Sequence, residues 1–122
     1  MESKPPLTVS HIAPSHSAYE VVLDALGDRT RRAVLERLRD GPKPVVEIAR
    51  GLPVSRPAVS QHLRVLKEAG LVTDRAVGNR RVYAVDATGL AALRAFLELF
   101  WQDALTRFVA TAETEADNGP SA

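Results

Sequence analysis

The chain has 122 residues, a formal net charge of +1, 45% hydrophobic residues and no cysteine. This length is enough for one compact domain with its own core. Without cysteine, the sequence excludes disulfides, thiolate catalysis, iron–sulfur clusters and zinc sites built on cysteine. It has no apolar run of about 18 residues and no signal-like start, so we expect no membrane span and a cytoplasmic location.

The charge is distributed unevenly along the chain. Between Asp28 and Arg81 there are 13 Lys and Arg residues but only 6 acids, an excess of +7, whereas the rest of the chain carries −6. A basic middle between acidic ends is typical of a protein that binds a polyanion. The alternative interpretation is a solvated helical face.

The two ends of the chain differ from the middle. Residues 1–16 contain three prolines and little periodicity, which predicts a flexible N-terminal arm. Residues 115–122 end in Asn-Gly-Pro-Ser-Ala and predict a flexible tail. We therefore expect a single folded domain over residues 17–114.

Two helices are predicted at the start of this domain. From Ser17 the apolar residues recur at helical spacing as far as Gly27, which is a helix stop. Asp28 is a suitable N-cap for a second helix, which ends by Gly41.

A short helix and a longer one follow. The short helix begins after Pro44 and stops at Gly51. Ser55 can then cap a fourth helix that runs to Ala69, with Pro57 in the first turn, where its missing N–H costs nothing.

The last third of the domain predicts a hairpin and a long helix. The β-like runs Leu71–Val77 and Arg80–Asp86 are joined by Gly78-Asn79, a two-residue hairpin connection. A long amphipathic helix over about residues 88–114 follows. A short helix, a tight turn, a polar-faced helix and a hairpin make a winged helix-turn-helix. The predicted fold class is therefore mainly α with a small β-hairpin, ending in a long C-terminal helix for dimerisation.

The fourth helix divides into two faces when its residues are advanced by 100° each. One arc is apolar and also contains His62, which we interpret as a core histidine with a hydrogen-bond partner; a direct DNA contact is the alternative. The other arc carries guanidinium, ammonium, amide and hydroxyl groups, which are the groups that read base edges and phosphates. The predicted DNA-binding residues of this helix and its cap are Ser55, Arg56, Ser60, Gln61, Arg64 and Lys67.

The hairpin adds a second basic group. Asn79, Arg80 and Arg81 lie at its tip, and Arg75 lies on the partner strand. We expect these four residues to bind DNA as a wing that contacts phosphates or enters a minor groove. A charged edge that keeps a strand soluble is the alternative.

Three segments together, residues 23–32, 59–72 and 78–83, closely resemble the ArsR/SmtB family of bacterial winged-helix repressors. The resemblance covers about residues 17–110. It implies a homodimer formed by the first and last helices, which binds double-stranded DNA at a pseudo-palindromic operator and represses its own operon. The implied recognition helix is residues 55–69, and the implied wing is residues 72–85.

The last helix has more apolar residues than one small core can cover, which also favours a homodimer. The predicted dimer-interface residues are Val21, Val22, Leu93, Phe96, Leu97, Phe100, Trp101 and Phe108.

The sequence departs from the metal-sensing members of this family. The short helix has no cysteine, and the last helix offers Asp103 and Glu98 but no histidine. We therefore expect no metal and no cofactor, and the effector is unknown.

Three other functions compete with this one. A sensor of a small apolar ligand would use the aromatic stripe of the last helix as a pocket, but a dimer core explains that stripe more simply. A winged helix used only for protein–protein contact does not explain the basic arc of the fourth helix. An enzyme is the weakest alternative, since the sequence has no paired carboxylates in a polar setting, no phosphate-binding glycine loop and no metal-ligand spacing.

Overall fold

The computed structural model describes residues 14–117, with the side chains of residues 18–116. It confirms a mainly helical fold with a small sheet and a long last helix. The elements are α1 Pro14–Leu26, α2 Arg29–Glu36, β1 Lys43–Pro44, α3 Val45–Ala49, α4 Arg56–Glu68, β2 Val72–Val77, β3 Arg80–Val85 and α5 Ala87–Asp117. The helix α1 begins three residues before the predicted start, and α5 extends three residues past its predicted end. Residues 1–13 of the predicted arm and 118–122 of the predicted tail lie outside the described residues.

Two polar side chains set the starts of α2 and α4, as the sequence predicts. The Asp28 carboxylate accepts a hydrogen bond from the backbone N–H of Arg31 at 2.9 Å. The Ser55 hydroxyl accepts one from the backbone N–H of Ala58 at 3.3 Å. Each bond satisfies one of the N–H groups that have no partner inside the helix. The start of α4 is therefore fixed in place beside the turn that precedes it.

The sheet has three antiparallel strands in the order β1-β3-β2. The hairpin pairs Val77 with Arg80 across the Gly78-Asn79 turn, as predicted, and pairs Val72 with Val85 at its base. The strand β1 was not predicted. It contributes two residues, and Pro44 lies opposite Val82 on β3. The base of the wing is thereby tied to the segment just before α3.

The core is formed where the inner faces of α1–α4 meet the base of the hairpin. Eight large side chains are less than 2% exposed, and these are Ile48, Leu63, Leu66, Leu71, Val22, Val34, Val59 and Val72. Val22 is among them at 1% exposed. The prediction that Val22 faces a second copy is therefore wrong, because its side chain lies inside the protomer's own core.

The end of α4 and the start of α5 touch through their backbones. The N–H of Gly89 donates to the carbonyl oxygen of Gly70 at 2.7 Å. Gly70 has a φ of +75°, a conformation that glycine adopts without strain. A Cβ at Gly89 would lie 2.6 Å from the carbonyl oxygen of Ala69, so only glycine permits this approach. The segment just after α4 is thus in direct backbone contact with the first turn of α5.

Candidate nucleic-acid interface

The outer face of α4 is polar and exposed, and its inner face is buried. Val59, Leu63 and Leu66 are fully buried, and Ala58, His62 and Val65 are partly buried. The division between the two arcs of this helix is as the sequence predicts. The exposed residues on the outer arc are Arg56, Pro57, Ser60, Gln61, Arg64, Lys67 and Glu68. Glu68 is the one acid of this arc and is the last residue of the helix. Ser55, at the cap, is also exposed, but its hydroxyl is already engaged with the helix start.

The pairing of β2 with β3 separates the wing arginines onto two faces. Val77 lies opposite Arg80 and Arg75 opposite Val82, so the side chains of Arg75 and Arg80 share one face. Arg81 points to the other face, and Asn79 lies in the turn. All four of these predicted DNA-binding residues are exposed.

The face that carries Arg81 forms one wall of a cleft against α4. The cleft has a volume of about 450 Å³, and residues from α4, β2 and β3 line it. Tyr83 lines the cleft and also packs partly against the core. Gln61, Arg64 and Lys67 line the opposite wall, so the outer face of α4 and one face of the hairpin border the same cleft.

Asp74 connects the two walls of this cleft. Its Oδ1 lies 2.8 Å from Lys67 Nζ on α4, and its Oδ2 lies 3.1 Å from Arg81 Nη1 on β3. The hydrogen bond from Lys67 is the main cause that lowers the pKa of the Asp74 carboxyl, and Arg81 lowers this pKa further. Two of the predicted DNA-binding residues therefore share one carboxylate.

Sequence reasoning missed Asp74, although a signal was present. Val72 and Asp74 lie on the same face of β2, because side chains on a strand alternate. Val72 is buried. An acid two residues after a buried valine on one strand face indicates a carboxylate that points inward and requires a cation.

Not all of the basic middle belongs to this surface. Arg31 and Arg32 donate to the carbonyl oxygens of Ala25 and Leu26 at the end of α1, at 3.1 and 2.7 Å. Arg37 donates to carbonyl oxygens at the end of α3, including that of Ile48 at 3.2 Å. These arginines satisfy carbonyl groups that have no partner within their helices. The side chains of these three arginines are therefore directed to helix ends rather than to the outer arc of α4 or the wing.

His62 lies on the inner arc of α4, as the core interpretation requires. Its side chain is partly buried. Its Nδ1 atom is buried and has no hydrogen-bond partner among the described residues, so the expected partner is not found at this atom. The imidazole is close enough to the Asp28 carboxyl to be one of the smaller causes that lower the pKa of that group.

The last helix carries a large exposed apolar surface. Phe100, Trp101 and Phe108 are 60%, 61% and 69% exposed, although each has a large apolar side chain. Leu97 and Val21 are also exposed. Eight residues of this helix line an open depression of about 710 Å³, and four of them are predicted interface residues: Leu93, Leu97, Phe100 and Trp101.

Some of the predicted interface residues also make contacts within the protomer. The Phe96 ring stacks on the Tyr19 ring of α1, with centroids 4.0 Å apart. The Phe96 and Phe100 rings form a T-shaped pair, with centroids 5.2 Å apart. Leu93 packs against the core. These contacts hold α5 against α1 and leave the next turns of α5 uncovered.

Within residues 14–117, no helix is long and apolar enough to cross a membrane. Among the same described residues, no three His, Asp or Glu side chains form a group that could hold a metal ion.

Comparisons with known proteins agree with this geometry. Residues 26–75 match the family model of a helix-turn-helix domain. The chain is 61% identical over 94 residues to the HTH-type transcriptional regulator Rv2034 of Mycobacterium tuberculosis. The aligned residues cover 77% of this chain and 88% of that protein. It is 35% identical over 69 residues to the transcriptional repressor SdpR of Bacillus subtilis, covering 57% of this chain and 77% of SdpR.

A solved structure shows the same architecture. It is the homodimeric winged helix-turn-helix DNA-binding domain of Mb0332 from Mycobacterium bovis, described as a possible ArsR-family transcriptional regulator. The match covers 95% of each chain, with a TM-score of 0.58 and 26% sequence identity.

Proposed function

Because the chain belongs to the ArsR family of winged helix-turn-helix transcriptional regulators, we propose that it is a homodimeric repressor that binds a specific DNA sequence. Residues 55–69 would enter the major groove of a pseudo-palindromic operator, and the wing, residues 72–85, would contact the flanking backbone. A dimer bound across a promoter would occupy DNA that the transcription machinery needs. Since repression requires access to the chromosome, we place the protein in the cytoplasm.

The basic outer arc of α4 is the observation that carries this proposal. It presents Arg56, Ser60, Gln61 and Arg64 to solvent, and its one acid, Glu68, is the last residue of the helix. Arginine can bind guanine through two hydrogen bonds, and glutamine can bind adenine in the same way. Placed beside a basic wing, this arc has the composition of a major-groove reading surface.

The exposed face of α5 supports the homodimer. A soluble monomer rarely leaves several adjacent aromatic side chains in water. A second copy packed on Leu97, Phe100 and Trp101 would cover them and would fill the open depression that they line. The dimer thus takes the surface that a small apolar ligand would otherwise use. It also gives the protein two reading helices, which a palindromic operator requires.

A footprint of the purified protein on the DNA upstream of its own gene tests this proposal. We expect protection of an inverted repeat whose half-sites are about one helical turn, or about 34–36 Å, apart, or a multiple of it. Such a site would also support repression of its own gene. Uniform weak protection of all sequences would contradict sequence-specific binding.

Variants of the reading surface separate base contacts from phosphate contacts. Gln61→Ala and Arg64→Ala should each cost about 1–3 kcal/mol on the operator and relax the preference for it. Arg80→Ala should weaken all sequences more evenly, because a wing arginine contacts phosphate. Arg107→Ala, which removes an exposed cation from α5, is the matched control. If Arg80→Ala relaxed the preference and Arg64→Ala did not, the wing rather than the helix would read the sequence.

A further inference from the structure

One carboxylate lies in the middle of the proposed DNA-binding surface, where a polyanion would be repelled by it. Asp74 is bonded to Lys67 on one side and to Arg81 on the other, at 2.8 and 3.1 Å. We call these three side chains the Asp74 bridge. The bridge links the last turn of the recognition helix to the wing.

The exposures of the three side chains show which of them is fixed. The Asp74 side chain is 8% exposed, whereas those of Lys67 and Arg81 are both 55% exposed. Asp74 is therefore held by its surroundings on β2, and it holds the ends of two long flexible cations. Ion pairs with exposed cations contribute little to folding stability, so stability alone does not account for the arrangement.

The bridge leaves both cations able to bind DNA. A lysine ammonium has three donors and an arginine guanidinium has five, and Asp74 engages one atom of each. The remaining donors can reach phosphate oxygens. The carboxylate also lowers the formal charge of the three groups from +2 to +1, which weakens attraction to any polyanion.

We infer that Asp74 is a specificity-determining positioning residue. It sets the spacing between Lys67 and Arg81 so that the helix and the wing meet the DNA backbone in one register, and it reduces binding to unselected DNA. Phosphate contacts fix the register of a protein on the duplex without reading sequence, so a fixed spacing favours the operator over other DNA. This inference rests on the proposed function.

Asp74→Asn tests the inference, because it removes the charge while it keeps the size of the side chain. Binding to the footprinted operator and to a scrambled duplex of equal length is titrated over a series of salt concentrations. We expect tighter binding to the scrambled duplex at low salt and about a tenfold fall in the ratio of operator affinity to scrambled affinity. The slope of log affinity against log salt should steepen by about 0.9 for each additional phosphate that the released cations neutralise.

Two further variants keep the test independent of folding effects. Glu68→Gln changes the net charge by the same amount at an exposed residue next to Lys67, and it should leave the affinity ratio unchanged. Asp74→Glu keeps the charge and should restore most of the ratio. In a Lys67→Gln, Arg81→Gln background, Asp74→Asn should have no further effect on the salt slope, because the cations that it releases are gone.

The outcomes separate the two proposals. If the wild-type protein binds the operator and Asp74→Asn behaves like Glu68→Gln, the inference about Asp74 is wrong and the proposed function stands. A change in the affinity ratio or in the salt slope on Asp74→Asn that persists in the Lys67→Gln, Arg81→Gln background would also overturn it. If the wild-type protein shows no preference for any DNA, both proposals are wrong.

Discussion

Replacing Gly89 by alanine tests the contact between α4 and α5. The new Cβ would lie 2.6 Å from the carbonyl oxygen of Ala69 and 2.9 Å from that of Gly70. Both are backbone atoms, which cannot rotate away as the end of a side chain could. The two segments would therefore have to separate by at least about 0.4 Å to reach the 3.0 Å below which a Cβ is essentially never found.

The expected loss of stability follows from three effects. Forcing an extra methyl group into a packed site costs about 1–3 kcal/mol. Stretching the 2.7 Å hydrogen bond from Gly89 to Gly70 costs roughly 1 kcal/mol. Alanine is better than glycine in a helix by about 1 kcal/mol, which offsets part of this. The net free energy of unfolding should fall by about 1–3 kcal/mol, and Tm should fall by several degrees.

Urea unfolding at one fixed protein concentration measures this change, since the stability of a dimer depends on concentration. Gly27→Ala is the matched control, because its Cβ would be 3.4 Å from the nearest atom and its φ is not positive. We expect the control to change the free energy of unfolding by less than about 1 kcal/mol. Equal stability of Gly89→Ala and Gly27→Ala would refute the reasoning.

Three other predictions concern the dimer, the core and the response to acid. Phe100→Glu should convert the dimer to monomer and abolish operator binding, as measured by sedimentation and by titration with DNA. Leu99→Glu is the control, because Leu99 is exposed and apolar but does not line the depression on α5. This variant should remain a dimer and should still bind the operator. His62→Leu should change the free energy of unfolding by less than about 1 kcal/mol, because the buried Nδ1 of His62 has no hydrogen-bond partner among the described residues. Operator affinity should stay unchanged. A tenfold loss of operator affinity would show that His62 contacts DNA. The pKa values of Asp74 and Asp28 are lowered in the fold, mainly by the hydrogen bonds from Lys67 and from the N–H of Arg31. Their stabilisation is therefore complete above the ordinary value near 3.8 and is lost as the pH falls through the depressed values. Urea unfolding at a series of pH values should show this loss only below about pH 4, and a loss from these groups starting at about pH 6 would contradict it.

The helix starts and the hairpin could be predicted because the responsible residues act locally. Asp28 and Ser55 cap their helices within three residues of themselves. The Gly78-Asn79 turn joins strands that are adjacent in the chain. The inner and outer faces of α4 follow from its 3.6-residue period. Such features are determined by residues that lie close together in the sequence.

The features that could not be predicted depend on residues far apart in the chain. The strand β1 has two residues, and it exists only because β3 passes beside Lys43 and Pro44. The roles of Arg31, Arg32 and Arg37 depend on which helix ends lie near them in the fold. The inward position of Val22 depends on how α1 rotates against the core, and helical spacing alone does not fix that rotation. Long-range packing decided each of these cases.

The short strand β1 determines where the wing can bend. It pairs with β3 at Val82 and Tyr83, so the hairpin is anchored on that side at its middle. Beyond this point, the residues from Ala76 to Arg81 form a two-stranded ribbon with no third strand among the described residues. Such a ribbon twists and flexes more easily than a wider sheet. Arg81 is also held by Asp74, so the part of the wing that is free to bend is its tip at Asn79 and Arg80. In the proposed complex, Arg80 could therefore adjust to grooves of different width while the base of the wing stays in place.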